Sequence, residues 1–466
     1  MIRWEQLERA IEGDLAPAGS PAFASRPAFN ARFRDVQPAA IVSCAVPHDV
    51  SEAISFARRN GLDVAVRSGG HSFAGSSLTR GLVVDVTPMR SVSVAGGVAT
   101  VGAGARLGEV YGTLQDHDLA IPAGTCPDVG VAGLTLGGGL GILGRTYGVT
   151  SDRLIAAEIV LADGRVVTCD EHHEQDLFWA IRGAGTGNFG VVSSLVFRPV
   201  PAPNVTNFHL AWSFAQAPKL VSAWQAWAPT GPDRLAASLK VTATGDVDRP
   251  PSVDVYGALL EVGSDAPGVL DELVARAGSD PVSSTIKQMS FRDTRRFWAQ
   301  LGDDGSGSDG NAGAAEPVML YAKSEFFRRP LPTGTIAALL DAFSGDRAAG
   351  EDRELDFMPW GGAYNRVPSD ATAFVHRAEL FQLKHAVVVR SDASVSEKEA
   401  AERQVSRSWA TVHPSGSGRV FQNFADPDLE DWANAYYGPN LDRLIDVKSR
   451  YDPANVFRFE QSLRPR

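Results

Sequence analysis

Three cysteines in 466 residues, Cys44, Cys126 and Cys169, are too few for a disulfide framework, and none stands in a CxxC or Cys/His spacing that would hold a metal. Positive charge is also scarce. The chain has 44 lysines and arginines against 55 acids, a net charge of −11 with no basic run, which removes the electrostatic basis for binding nucleic acid. No window reaches the roughly 18 consecutive apolar residues of a membrane span. The opening segment MIRWEQLERAIEG mixes charges and lacks the apolar stretch of a secretory signal, so a cytoplasmic protein without membrane contact is expected. No glycine cluster carries the P-loop lysine. None has the G-x-G-x-x-G spacing that opens a helix with an acidic residue about 20 positions on, so the ordinary NAD fold is disfavoured.

What is present is an ordinary globular composition, 44% hydrophobic and 21% charged, in a chain longer than one core usually supports. The stretch DVSEAISFARRNG from Asp49 reads as a helix, with Asp49 and Glu52 at capping-box spacing and Gly61 as its stop. LDVAVR, LVVDV (82–86) and VATVGAG (98–104) read as strands, a helix is expected from Leu107 to Asp116, and LIAAEIVLADGRVVTC reads as a hairpin turning at Asp163-Gly164. The proline-rich PVPAPN (199–204) marks a boundary. Beyond it a sheet-and-helix unit is expected, with the polar insert GDDGSGSDGNAGAAEP (302–317) as a mobile loop. LDRLIDVKSRY (441–451) has helical pairing ended by Asp452-Pro453. The expected division is 1–203, 204–412 and 413–466.

Chemistry concentrates in three glycine loops: RSGGHSFAGSS (67–77), GLTLGGGLG (133–141) and RGAGTGNFG (182–190). Glycine lets backbone N–H groups approach an anion, so three such loops in one unit favour a large ligand anchored at several points. His71 and Cys126 are the nucleophiles set in this frame. On its own His71 reads first as a surface or turn histidine, and Cys126, in GTCPDVG, as a small buried hydrophobe.

RSGGHSFAGSS, GTCPDVGVAGLTLGGGLGILGRTYG, RGAGTGNFGVV and the tail YYGPNLDRLIDVKSRYDPANVFRFEQS resemble the berberine-bridge-enzyme-like branch of the vanillyl-alcohol-oxidase flavoproteins, over 35–200 and again over 355–466. The resemblance implies an α+β fold: a two-part PCMH-type FAD-binding domain, 1–203 with the returning segment 413–466, and a substrate domain of antiparallel sheet covered by helices. It implies FAD attached covalently twice, through His71 and Cys126. Two tethers would withdraw electron density from the ring and raise its potential, favouring hydride abstraction from a poor donor. It further implies pyrophosphate held by Arg67, Ser68, Gly69, Gly70, Ser72 and Gly75. Further FAD contacts would come from Gly137, Gly138, Gly139, Gly141, Asn188, Gly190 and Val191, with Tyr451, Asn455 and Gln461 in the closing segment.

Several tyrosines usual in the family are absent: Phe73, Leu140 and Phe421-Gln422-Asn423-Phe424 stand instead. A phenol is the family's usual base, so these changes take that base away and predict a more apolar cavity. Lys384-His385 replaces a Gln-Tyr or Glu-Tyr pair. Strand alternation sends the two to opposite faces, with Lys384 toward the flavin as a base or as a positive partner, and His385 into the core. Tyr147 is a further candidate beside the ring. Val129 lies where the family controls oxygen access, and a valine there resembles the oxidases. The expectation is an FAD-linked oxidase acting on an alcohol or amine carbon of a sugar or secondary metabolite, by hydride transfer to flavin N5, with O2 reduced to H2O2. Its partners are then a small-molecule substrate and O2. The alternatives are a dehydrogenase with another acceptor and a non-catalytic protein on a flavin fold.

Overall fold

A computed structural model describes residues 2–20, 28–185, 187–260, 266–302 and 318–466, without side chains at 299–302. The insert expected as a mobile loop falls, apart from Gly302, outside the described residues.

Two larger sheets build the first half, beside the short antiparallel pair Leu119–Ala120 and Val200–Pro201. Strands Asp14–Pro17, Ala40–Ser43, Leu82–Asp85 and Val64–Arg67 form the smaller one in that order, the last three parallel. The parallel pairing requires a crossover, and the helix Pro47–Asn60 supplies it. That helix starts two residues earlier than its sequence suggests, because Pro47 occupies the first turn, where its missing N–H costs nothing. Asp49 is therefore inside the first turn rather than the cap. Its carboxylate accepts the N–H groups of Glu12, Gly13, Ala45 and Val46 at 2.8–3.4 Å, which fastens the N-terminal segment to the helix. Gly61 ends the helix at φ +64°.

The second sheet is antiparallel, with strands Val92–Ala95, Val98–Gly102, Gly190–Phe197, Leu154–Leu161 and Val166–Asp170 in that order. The Asp163-Gly164 hairpin forms as read, with Gly164 at φ +88°. One core joins these sheets to the tail: Val42, Val84, Val101 and Leu195 are buried in the same cluster as Tyr436, Leu444, Val447, Phe457 and Leu463. Each such side chain contributes about 1.5–3 kcal/mol of burial. Lys448 adds a polar tie. From the helix Leu441–Tyr451, its fully buried ammonium donates to Asp452, to the carbonyl of Phe457 and to the carbonyl of Asn188 in the third glycine loop, each at 2.7 Å.

The middle of the chain folds as a seven-stranded antiparallel sheet. Its order is Ser283–Ser290, Asn204–Ser213, Ser252–Leu260, Leu235–Ala243, Asp352–Pro359, Phe381–Arg390, Val318–Phe327. Alternation divides its side chains. Leu239, Leu355, Phe357, Phe381 and Leu383 share a core with helix residues such as Leu220, Trp224, Leu273 and Leu340. The intervening Lys240, Glu354, Asp356, Gln382 and Lys384 are also buried, on the other face.

Candidate active site

The strand Val64–Arg67 opens at its C-terminal end into the first glycine loop. Ser68 Oγ donates to the carbonyl of Ala103 at 2.7 Å, and Gly70 turns at φ +74°, where a side chain would be strained. The backbone N–H groups of Gly69, Gly70, His71 and Ser72 donate to no acceptor among the described residues. Four successive free donors at a loop of this kind suit an anion.

The loop carrying Cys126 lies against it with no side chain between. A Cβ built on Gly69 would stand 2.2 Å from the nitrogen of Gly130, and one on Gly130 would stand 2.3 Å from the nitrogen of Gly69. His71 and Cys126 consequently line one cavity, of about 380 Å³, from two different loops. The Phe29 ring stacks on His71 with centroids 4.5 Å apart. Burial lowers the His71 pKa to about 4, with Arg106 and Arg67 adding to the effect and Asp128 opposing it. At neutral pH the imidazole is therefore uncharged, which is its nucleophilic form. Cys126 is a half-buried thiol outside any disulfide. Free backbone donors, a neutral imidazole and a thiol on a common cavity are a donor set that fits FAD.

Of the residues singled out in the sequence, Ser68, Gly69, Gly70, His71, Ser72, Cys126, Val129, Gly141, Gly190 and Lys384 line this cavity. Phe73, Leu140 and Phe421–Phe424 line it as well, and the remaining candidates have different neighbours. The Arg67 guanidinium folds over Gly70, where a Cβ would stand 2.8 Å from its Nη2. Gly75 makes room for Phe33, Gly137 for Asn423, Gly138 for Phe374 and Gly139 for Thr150. Asn188 spans the carbonyl of Ala184 and the N–H of Leu463 at 3.0 Å each, and Val191 is buried in the first core. Tyr147 packs against that core, Tyr451 donates to Glu174, Asn455 turns at φ +49°, and Gln461 bonds Tyr436 and the carbonyl of Asp426.

Lys384 does face the cavity and His385 does not. His385 is buried with Nδ1 2.8 Å from Ser408 Oγ, and burial lowers its pKa to about 3. The surroundings of Lys384 differ from the apolar setting expected. Its Nζ lies 3.0 Å from Glu354, which also pairs with Lys240 at 3.3 Å, and Asp356 stands directly opposite it in the strand register.

Asp356 is the one carboxylate among the described cavity-lining residues, and sequence reasoning passed over it. Its signal was the run Glu354-Leu355-Asp356-Phe357, which alternates charge with bulk and so places both acids on the face opposite the core. Tyr256 and Tyr364 were also missed. Both line the cavity, so phenols enter it from strand and helix positions outside the motifs. Tyr364 donates to the carbonyl of Gly141 at 3.3 Å, and burial raises its pKa. The whole of Phe421–Phe424 lines the cavity. Phe73 stacks on Phe424 with centroids 5.5 Å apart, and Gln422 bonds His376 Nε2 at 3.0 Å.

A family model for an FAD binding domain matches residues 38–170, and one described as berberine and berberine like matches 420–464. The uncharacterized FAD-linked oxidoreductase YgaK of Bacillus subtilis is 33% identical over 437 residues, 92% of this chain and 91% of that one. Berberine bridge enzyme-like 3 of Arabidopsis thaliana is 30% identical over 466 aligned positions, 94% of this chain and 86% of its own. Among solved structures, a chitooligosaccharide oxidase superposes with a TM-score of 0.86 at 27% identity, covering 99% of this chain and 98% of that one.

Proposed function

The chain belongs to the berberine bridge enzyme-like family of FAD-linked oxidoreductases, and on that premise we propose that it is an oxidase holding FAD through both His71 and Cys126 and acting on an alcohol carbon of a sugar or secondary metabolite. One observation carries the reading: the two nucleophiles reach a single cavity from loops locked together at Gly69 and Gly130. When bound, FAD supplies a two-electron acceptor for a hydride from the substrate carbon.

The chain's own residues do the rest. The free N–H groups of 69–72 bind the pyrophosphate. Lys384, 3.0 Å from Glu354, is a positive partner for negative charge in the cavity. Asp356 is the carboxylate placed to receive the substrate's hydroxyl proton, a role that Phe73 and Phe424 cannot fill. Trp298, Trp360 and Tyr256 give the cavity flat apolar walls suited to a sugar ring or an aromatic product. A solved relative named as a chitooligosaccharide oxidase supports the sugar reading. Val129, small and beside the cavity, leaves room for O2.

The test is to mix the yellow protein with a panel of sugars, aromatic alcohols and amines without oxygen, then admit air. Bleaching by one class, with colour and H2O2 returning in air, is the expected result. Bleaching that air does not reverse would assign another electron acceptor.

A further inference from the structure

The cavity-facing side of the seven-stranded sheet carries a continuous row of charge. Asp254, Lys240, Asp356 and Lys384 stand each directly opposite the next on four neighbouring strands. Glu354, on the same strand as Asp356 and two residues before it, lies 3.3 Å from Lys240 and 3.0 Å from Lys384. Lys384, Asp356, Glu354 and Lys240 are each at most 6% exposed. The row then reaches light: Asp254 is 3.0 Å from His209 Nε2, and the side chains of Asp254 and His209 are 20% and 34% exposed. One end therefore lies in the cavity and the other at the surface.

We propose that this row is a proton relay joining the cavity to solvent, with Asp356 at its inner end and His209 at its outlet. The proposal rests on the oxidase reading above. Converting a secondary alcohol to a ketone sends a hydride, carrying both electrons, to the flavin and leaves the hydroxyl proton. Reoxidation takes one back, since reduced anionic flavin, O2 and one proton give oxidised flavin and H2O2. Both protons are handled in a cavity whose wall at Phe73, Phe421, Phe424 and Leu140 is apolar, whereas the sheet side carries the charged row. The row's composition suits the task. Three carboxylates, Asp254, Glu354 and Asp356, alternate with two ammonium groups, those of Lys240 and Lys384, and His209 closes the row. Acids and bases that alternate across neighbouring strands can hand a proton from one to the next. A purely structural network gains nothing from ending at a half-exposed His–Asp pair. Ser252 Oγ, 3.1 Å from Asp254 and 2.8 Å from Thr242 Oγ1, completes the polar groups around the outlet.

The test needs no known substrate. Photoreduced holoprotein is mixed with air-saturated, weakly buffered solution containing a pH-indicator dye, and the return of flavin colour is timed against proton uptake. In the unmodified protein the two signals share one rate. In His209→Gln, a change at a half-exposed site, proton uptake falls behind roughly ten- to hundredfold, or both signals slow together by that factor. Lys240→Met, which breaks the row in its middle, behaves alike. If both signals keep the unmodified rate in both variants, the relay is wrong. If colour fails to return in air even in the unmodified protein, the oxidase reading fails separately. Ferricyanide then reoxidises the flavin, two ferricyanides taking two electrons and one proton being released, and the same comparison of proton timing decides the relay.

Discussion

Gly69 and Gly130 meet backbone to backbone, with no room for a Cβ on either: one built on Gly69 would stand 2.2 Å from the nitrogen of Gly130, and one on Gly130 2.3 Å from the nitrogen of Gly69. This contact sets the spacing between the loop of His71 and the loop of Cys126. Neither glycine has a positive φ, so a substitution there acts through crowding and not through backbone strain.

Gly69→Ala should therefore force the loops apart. Overpacking of this kind costs about 1–3 kcal/mol. The expected outcome is a lower melting temperature together with flavin attached through one bond only, read by peptide mass spectrometry. Two intact attachments in a destabilised variant would show that the contact is structural alone.

Lys384→Met should take from Glu354 the ammonium 3.0 Å away, while Lys240 stays at 3.3 Å, and should remove the lysine opposite Asp356. Removing one member of a buried ion pair costs about 3 kcal/mol, which urea unfolding would measure. Turnover should fall by roughly 10²-fold as the cavity loses its cation. Flavin content should not change, because Lys384 lies on the sheet and not on the loops that hold the cofactor. Lys384→Arg, which keeps the charge, should recover part of both losses.

Acid should destabilise the fold through two histidines outside the cofactor loops. His376 and His385 are at most 1% exposed, and burial lowers each pKa to about 3. The unfolded chain, with histidine near 6.5, binds more protons than the native one between those values, so stability falls as pH drops through that window. At pH 5 each histidine should cost about 2 kcal/mol relative to pH 7. The comparison that checks this is unfolding of the unmodified protein and of His385→Gln at both pH values. A smaller acid loss in the variant is expected, and equal losses would contradict it.

The cofactor side of the site was legible in the sequence because its signals are local. Glycines, His71 and Cys126 fall within short loops, and alternation at Lys384-His385 sorted one side chain to the cavity and the other to the core. What glycine could not say is for whom it makes room. Gly137, Gly138 and Gly139 accommodate Asn423, Phe374 and Thr150 of this chain, while Gly69 and Gly130 accommodate each other. The start of the helix at Pro47 was misplaced because Asp49 suits a cap by composition, yet its carboxylate serves four N–H groups from two segments. The charge row was hidden for a different reason. Lys240, Asp254, Asp356 and Lys384 are neighbours only through strand pairing, which at Lys240–Asp356 joins distant parts of the sequence, and no local pattern encodes that register.

The most direct measurement is where the yellow colour goes when the holoprotein, His71→Ala, Cys126→Ala and the double variant are precipitated with trichloroacetic acid. Attachment through both side chains predicts a yellow pellet from the unmodified protein and from each single variant, and a colourless pellet from the double variant alone. A colourless pellet from either single variant, or pigment released by the unmodified protein, would contradict it.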